Sequence, residues 1–235
     1  MAILELDREG AVAIIKMNNG ANKQDLGFAQ TLNSLLEEVQ QDETMHALVL
    51  ASTDEKNWSQ GIFVEWMIEQ KDINGGQDVI TFFQQLDEVY SKLMLMPMPT
   101  IAAINGHAFG AGAFLATACD YRFMNGQRGF FCFPEIDLKM DFQPGVFKML
   151  VHKLPDFKFQ DLLFTGKHAA ATELEKTFIV EKACDGVEDT LNSAMAFAAG
   201  FNKDRKLIAS YKQKLNGDMA KEMIAMDLEY HKTLL

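Results

Sequence analysis

The segment Pro99–Tyr121 constrains the fold more than any other part of the chain. An apolar strand, Ile101–Ile104, leads into a turn of small residues, and an alanine-rich helix follows near Ala111–Ala118. Small side chains let a ligand approach the backbone closely, and the free N–H groups at a helix start favour negative charge. The pattern therefore indicates an anion-binding turn, with tight strand–helix packing as the alternative that remains open.

Apolar periodicity predicts strands and helices in alternation before this segment and mostly helices after residue 145. A first hairpin has Gly10 in its turn. The predicted strands are Ile3–Leu6, Ala11–Met17, Ala47–Ala51, Ile101–Ile104, Tyr121–Met124, Gly129–Phe133 and Phe178–Val180. The predicted helices are Leu26–Val39, Val79–Met94, Ala111–Ala118, Val146–His152, Phe159–Phe164, Ala171–Lys176, Val187–Ala199, Arg205–Leu215 and Met219–His231. This order predicts one α/β core followed by a helical region.

Charge and hydropathy restrict the class of partner. The chain has 22 Lys and Arg against 33 Asp and Glu, a formal net charge of -11. Such a surface repels phosphate backbones, so we expect no nucleic-acid partner. No apolar run approaches the roughly 18 residues of a membrane span, and the first residues do not read as a secretory or organellar leader. We therefore expect a cytoplasmic protein without a membrane partner.

Two further segments have candidate functional residues at the ends of strands. Gly61 lies in the loop after the strand Ala47–Ala51, where open α/β sheets commonly bind ligands. Glu135 follows the aromatic stretch Phe131–Phe133, and apolar neighbours would raise its pKa and suit it to proton transfer. The open alternatives are an ordinary loop glycine and a solvated glutamate.

Taken together, these segments resemble the enoyl-CoA hydratase/isomerase (crotonase) superfamily over nearly the whole chain. Residues 56–67 resemble its K-x-F-S-x-G-x-D-L-x-x-M loop, and residues 99–121 resemble P-x-I-A-A-[VI]-N-G-x-A-x-G-x-G-x-x-L-A-x-x-C-D. Residues 161–180 resemble L-L-L-T-G-x-x-x-x-A-x-E-A-x-x-x-G-L-V. The resemblance implies a ClpP-like ββα spiral core over residues 1–180, a C-terminal helical trimerisation region over residues 181–235, and a homotrimer or hexamer.

The resemblance also implies a thioester site. Its oxyanion hole would be the backbone N–H groups of Ile62 and Ala111, which hold the thioester oxygen of an acyl-CoA as charge develops. The catalytic set is then Glu135 with these two N–H donors. The expected substrate-binding residues are Ser59, Gly61, Ile62, Phe63, Ala111, Gly112 and Phe114. The CoA belongs to the substrate, and we expect neither a separate cofactor nor a metal.

The carboxylates favour one reaction of the family. Hydratases of the family use two glutamates; Phe114 stands at the first of these positions, and Glu135 at the second. A single carboxylate suffices to shift a 3-enoyl-CoA double bond to 2-trans-enoyl-CoA, as in the family's delta(3),delta(2)-enoyl-CoA isomerases. The downstream sequence Gly145-Val146-Phe147 also lacks the hydratases' glycine pair. The sequence therefore predicts an isomerase.

Three further readings stay open: thioester hydrolysis, atypical hydration and acyl-CoA binding without catalysis. Phe63 and Lys139 motivate the last of these, because the family commonly has aspartate and glycine at these positions. Asp137 and Asp141 lie close to Glu135 in the sequence, and their charges would raise its pKa further. His107 is expected to pack or to make a local hydrogen bond.

Overall fold

The structure, a computed structural model, describes residues 3–233. Eleven strands lie in that range: β1 (Leu4–Glu9), β2 (Val12–Met17), β3 (Lys23–Gln24), β4 (Ala47–Ser52), β5 (Asn57–Ser59), β6 (Gly61–Ile62), β7 (Thr100–Ile104), β8 (His107–Phe109), β9 (Tyr121–Asn125), β10 (Phe131–Cys132) and β11 (Lys182–Cys184). The helices are α1 (Leu26–Gln41), α2 (Val64–Lys71), α3 (Gln77–Leu95), α4 (Ala111–Ala118), α5 (Glu135–Leu138), α6 (Pro144–Lys153), α7 (Asp156–Thr165), α8 (Ala171–Glu175), α9 (Gly186–Ala199) and α10 (Arg205–His231).

The chain winds as a spiral of repeated strand–strand–helix turns. Strands β4, β7 and β9 lie side by side in a six-stranded sheet of order β1-β2-β4-β7-β9-β11. Each of them is followed by a strand of a smaller sheet, whose order is β10-β8-β5. The β1–β2 pair is antiparallel, and every other pair of the large sheet is parallel. The predicted α/β crotonase spiral with a C-terminal helical region is confirmed.

Helices cover both faces of the central strands of the large sheet, so β4 and β7 are almost wholly apolar and buried. In β4, Leu48 and Leu50 face the main core, where α1 and α3 pack. Val49 faces the opposite way, into a smaller cluster with Ala194 and Ala198 of α9. This two-sided burial explains why β4 reads as a continuous apolar run.

Arg122 fixes the end of α4. Its guanidinium donates hydrogen bonds to the carbonyl oxygens of Ala116, Cys119 and Asp120 and to that of Ile179. These oxygens include carbonyls that the last turn of a helix leaves without an internal partner. The arginine thereby ties α4 to the sheet and to the segment that precedes β11.

Two sequence expectations are wrong, and one helix was not predicted. No strand forms over residues 178–180, because Phe178 has a left-handed backbone (φ 58°) and is 87% exposed; the strand is β11, which pairs with β9. The two helices predicted over residues 205–215 and 219–231 are one helix, α10, which continues through Gly217. Helix α2 escaped prediction because none of its residues is buried and it carries no apolar stripe.

Helix α10 packs on its own chain. It runs along α3 and α6, and Met219, Ala220 and Met223 lie in the main core. A trimerisation role for residues 181–235 stays a prediction. Residues 234 and 235 of that range lie outside the described residues. Within residues 3–233, no helix is both long and apolar enough to cross a membrane.

Candidate active site

A cavity of about 310 Å³ is lined by residues of β6, of the helices α2, α3, α4, α5, α6 and α10, and of the segment that precedes α6. Four residues that the sequence singled out contribute to its wall: Ile62, Ala111, Phe114 and Glu135. The other main contributions come from residues that the sequence did not single out for the site: Phe83, Leu86, Tyr90, Gln143, Val146 and Tyr230. The wall is mostly apolar, with a few polar groups among these residues, which is typical of a small-molecule site.

Two backbone N–H groups are available at one side of this cavity. In the β3–β6 pair, the N–H of Phe63 donates to the carbonyl oxygen of Gln24 at 2.8 Å. Parallel pairing uses alternate residues of a strand, so the neighbouring N–H of Ile62 points away from β3. Ala111 is the first residue of α4, and its N–H therefore has no partner within the helix. Both donors belong to cavity residues.

Gly61 brings these donors together. Its φ of +76° is a left-handed conformation, and a Cβ atom there would lie 2.6 Å from the carbonyl oxygen of Phe109 and 3.0 Å from the nitrogen of Ala111. A Cβ on Gly112 would lie 2.4 Å from the carbonyl oxygen of Ser59. Glycine at both positions thus allows β5, β6 and the start of α4 to touch through backbone atoms alone.

Ser59 holds the loop in place. Its fully buried hydroxyl donates to the carbonyl oxygen of Asn22 at 2.8 Å and accepts from the N–H of Gly61 at 3.2 Å. Gln24 donates to the same hydroxyl at 3.2 Å and to the carbonyl oxygen of Ala111 at 3.4 Å. This geometry gives Ser59 a supporting role. Gln24 belongs to the same support, and no local sequence signal identified it.

Glu135 opens the short helix α5 beside the glycine turn. A Cβ on Gly110 would lie 3.3 Å from its Oε1 atom. Its Oε2 atom is buried and has no hydrogen-bond partner among the described residues. Burial raises the pKa of Glu135 to about 7, against a smaller lowering by its own backbone N–H. Contrary to the sequence expectation, the charges of Asp137 and Asp141 do not contribute to the raised pKa of Glu135.

Aromatic side chains occupy the region where a second glutamate would project. The ring of Phe114 packs against Phe133 and Phe142, with centroid distances of 5.8 and 5.6 Å. Asp141 also borders the cavity, but it is exposed and accepts a hydrogen bond from the N–H of Phe142 at 2.8 Å. Glu135 is thus the carboxylate at the buried part of the wall.

Two departures from the family pattern lie outside the cavity wall. Phe63 precedes α2, and its ring lies 4.9 Å from the Nζ atom of Lys23. Lys139 ends α5 with a left-handed backbone (φ 55°), which explains why glycine is common at this position in the family. Both side chains therefore affect the site only from outside.

His107 packs, as expected. Its ring lies between Phe109 and Phe130, with centroid distances of 4.9 and 5.7 Å, and burial lowers its pKa. It does not contribute to the cavity wall. Across residues 3–233, no group of three or more His, Cys, Asp or Glu residues is placed to hold a metal ion.

Some sequence relatives are named isomerases and others are named hydratases. The peroxisomal enoyl-CoA delta isomerase 2 of Arabidopsis thaliana is 28% identical over 188 residues, which cover 78% of each chain. The probable mitochondrial enoyl-CoA hydratase of Dictyostelium discoideum is 28% identical over 232 residues, covering 97% of this chain and 76% of the relative.

Solved structures share the fold. An enoyl-CoA hydratase from Bacillus halodurans superimposes with a TM-score of 0.86 at 18% identity, covering 98% of this chain and 92% of that one. The apo enoyl-CoA isomerase of Mtb gives a TM-score of 0.87 at 19% identity, with 99% of both chains covered. Residues 7–234 match the description enoyl-CoA hydratase/isomerase. The chain therefore belongs to the enoyl-CoA hydratase/isomerase family of the crotonase superfamily.

Proposed function

We propose that the protein is an enoyl-CoA isomerase that moves a double bond from the 3,4 position of an acyl-CoA to the 2,3 position in the trans configuration. One observation carries the proposal: a single buried carboxylate, Glu135, shares a cavity with two free backbone N–H groups, and Phe114 replaces the second carboxylate that hydration uses. The isomerase names among the sequence relatives support it.

The first step of the proposed reaction is proton removal at C2. The carboxylate of Glu135 takes the proton, and the electrons of the broken C–H bond move towards the thioester carbonyl. The resulting dienolate carries negative charge on the thioester oxygen, which the N–H groups of Ile62 and Ala111 stabilise. Each such donor is worth roughly a hundred- to a thousandfold in rate.

The second step returns the same proton to C4. Electrons flow back from the enolate oxygen, the double bond forms between C2 and C3, and Glu135 is again a carboxylate. A pKa of about 7 suits both steps, because the group is about half ionised at neutral pH and gives up its proton readily. The steps use only groups of the protein and the CoA thioester, so neither a metal nor a separate cofactor is needed.

Substitution of Glu135 tests the assignment. We expect the wild-type protein to convert 3-enoyl-CoA to 2-trans-enoyl-CoA, and Glu135→Gln to lower kcat by roughly a hundred- to ten-thousandfold while acyl-CoA binds within a few fold of wild type. Chromatography of the thioesters measures the conversion and its kcat, and calorimetry with a saturated acyl-CoA measures the binding. Asp137→Asn is the matched control, because Asp137 is an exposed carboxylate two residues away and outside the cavity wall. Full activity of Glu135→Gln would exclude it as the base.

Hydration is the second candidate, because Asp141 borders the same cavity and several relatives are named hydratases. If Asp141 served as a second acid/base, the wild-type protein would add water to 2-trans-enoyl-CoA, and Asp141→Asn would abolish that reaction. Release of free CoA, followed with a thiol reagent, would instead indicate hydrolysis. Tight acyl-CoA binding without any turnover would indicate a non-catalytic protein.

A homotrimer or hexamer remains part of the proposal. Leu207, Tyr211 and Leu215 follow one another at four-residue spacing on α10, and each is more than half exposed. Such a row suits a subunit interface, and light scattering in solution would distinguish a trimer or hexamer from a monomer. The cytoplasmic location stays a prediction, since relatives are named both peroxisomal and mitochondrial.

A further inference from the structure

Part of the cavity wall carries buried hydrogen-bonding groups that the proposed reaction does not use. Tyr90 of α3 borders the cavity, and its side chain is only 1% exposed. Its hydroxyl has no hydrogen-bond partner among the described residues. A buried hydroxyl without a partner destabilises a protein. The hydroxyl at this position therefore needs an explanation.

Three more polar side chains lie in the same region. Gln143 borders the cavity, and its Oε1 atom lies 3.2 Å from Nε2 of His231. That Nε2 atom lies 3.9 Å from Oδ2 of Asp87. Within residues 3–233, Oδ1 of Asp87 and Nδ1 of His231 have no hydrogen-bond partner. Tyr90 and Gln143 border the cavity, whereas Asp87 and His231 do not. We call these four residues together the polar wall.

Burial favours the uncharged forms of the titratable groups in the polar wall. Burial and the neighbouring charge of Asp227 raise the pKa of Asp87 well above its ordinary value. Burial lowers the pKa of His231 to about 4 and raises the pKa of Tyr90 well above its ordinary value. These groups can therefore exchange hydrogen bonds with an uncharged ligand without the cost of burying a net charge.

We propose that the polar wall binds an oxygen atom of the acyl chain, so that the enzyme prefers acyl-CoA substrates with a hydroxyl or carbonyl group beyond C3 to those with a plain alkyl chain. The inference rests on the proposed function only in that the acyl group occupies this cavity. An alkyl chain against Tyr90 leaves the hydroxyl without a partner, whereas an oxygen on the chain supplies one. A site with buried polar groups discriminates strongly against the ligand that cannot pair with them.

Binding of unreactive saturated thioesters tests the preference. The probes are hexanoyl-CoA and three compounds with an oxygen on the chain: 4-oxohexanoyl-CoA, 5-oxohexanoyl-CoA and 6-hydroxyhexanoyl-CoA. We expect at least one of the three to bind the wild-type protein about tenfold more tightly than hexanoyl-CoA in calorimetry, which corresponds to about 1.4 kcal/mol. In Tyr90→Phe, the ratio of the two dissociation constants should fall to about one. Hexanoyl-CoA should bind this variant at least as tightly as it binds the wild-type protein.

Tyr121→Phe is the matched control. It also removes one phenolic hydroxyl, but Tyr121 packs in the smaller cluster on the other face of the large sheet, and the preference should survive there. Tyr90→Phe removes a hydroxyl that has no hydrogen-bond partner among the described residues, so the variant should fold like the wild-type protein. Thermal unfolding checks this. Equal binding of all four probes by the wild type, or a preference that persists in Tyr90→Phe, would overturn the inference. A clear preference without isomerase turnover would instead count against the proposed function alone.

Discussion

Burial of Glu135 has two opposite effects. It raises the pKa to about 7, which brings the carboxyl into the range where it exchanges a proton with carbon at neutral pH. It also makes the ionised form costly in the folded protein, since a carboxylate loses hydration there and Oε2 has no partner among the described residues. The residue that we propose as the base is therefore also a source of instability.

The stability of Glu135→Gln should depend on pH. The folded-state pKa lies above the ordinary value of 4.5, so folding loses stability as pH rises from about 4.5 towards 7. Glutamine avoids this loss. We expect Glu135→Gln to exceed the wild type by about 1–2 kcal/mol in free energy of unfolding at pH 8, after allowance for partial exposure, and by much less at pH 5.

Urea unfolding at the two pH values measures this difference. Asp137→Asn, which removes an exposed carboxylate from the same helix, should show no comparable gain at pH 8. A gain for Glu135→Gln that is larger at pH 5 than at pH 8 would contradict the assigned direction of the pKa shift.

At the scale of elements, the proposed oxyanion site is a contact between the strand β6 and the start of the helix α4. The proposed donors are the backbone N–H groups of Ile62 and Ala111, not their side chains. The distance between the two backbone segments therefore decides whether both N–H groups reach the same oxygen atom. Gly61 sets that spacing, because its Cβ would collide with atoms of Phe109 and Ala111. The site is therefore sensitive to one methyl group at this position.

Gly61→Ala should lower the isomerase kcat by at least about a hundredfold, the typical effect of losing one oxyanion donor. Steady-state kinetics on 3-enoyl-CoA measures it. Gly10→Ala is the matched control: Gly10 also has a positive φ (+57°), but its Cβ would meet no atom within 4 Å. That variant should lose about 1 kcal/mol of stability from backbone strain and keep its activity. Equal activities of the two variants would refute the role of the spacing.

Sequence patterns predicted elements well where the signal is local. The apolar stripe of α3 and the strand–turn–helix of β7 to α4 depend on neighbours in the chain, and both form as expected. Strand β11 was missed because it begins with an exposed lysine and has no apolar run, while the more apolar residues 178–180 before it do not form a strand. Its pairing with β9 is a tertiary effect.

The site was predictable for the same reason, and only in part. Ile62, Ala111, Phe114 and Glu135 follow from motifs, and all four border one cavity. Tyr90, Gln143 and Tyr230 could not be found in this way, because their places depend on how α3, α10 and the start of α6 pack against one another. No spacing along the chain encodes that contact.

For the whole molecule, one buried carboxylate adds a polar contact between the last helix and the start of α6, beside the cavity. Asp227 of α10 accepts hydrogen bonds from the N–H groups of Gly145 and Val146, at 2.6 and 2.9 Å, at the start of α6. Free N–H groups at a helix start favour a negative partner. Gly145 permits the close approach, since a Cβ there would lie 2.2 Å from the carbonyl oxygen of Met223. This contact holds α10 over the cavity.

Asp227→Ala should lower the free energy of unfolding by about 1–2 kcal/mol at pH 5, because two buried N–H groups lose their acceptor. Burial raises the pKa of Asp227 to about 6, so its ionised form costs stability above that pH and the loss should be smaller at pH 8. Asp218→Ala is the matched control on the same helix, where the carboxylate is exposed, and should change stability by no more than about 0.5 kcal/mol. Urea unfolding of both variants at pH 5 gives the comparison. Equal losses in the two variants would show that the contact does not hold α10 in place.

The place of Tyr230 in the cavity wall has a consequence for biosynthesis. Residues 62 to 146 supply the rest of the wall, and they leave the ribosome well before residue 230 does. Until α10 has emerged and packed against α3 and α6, the nascent chain has an incomplete wall and an uncovered apolar core. The cavity wall is therefore complete only after that helix has left the ribosome and packed, and a chain that stops earlier has no closed cavity.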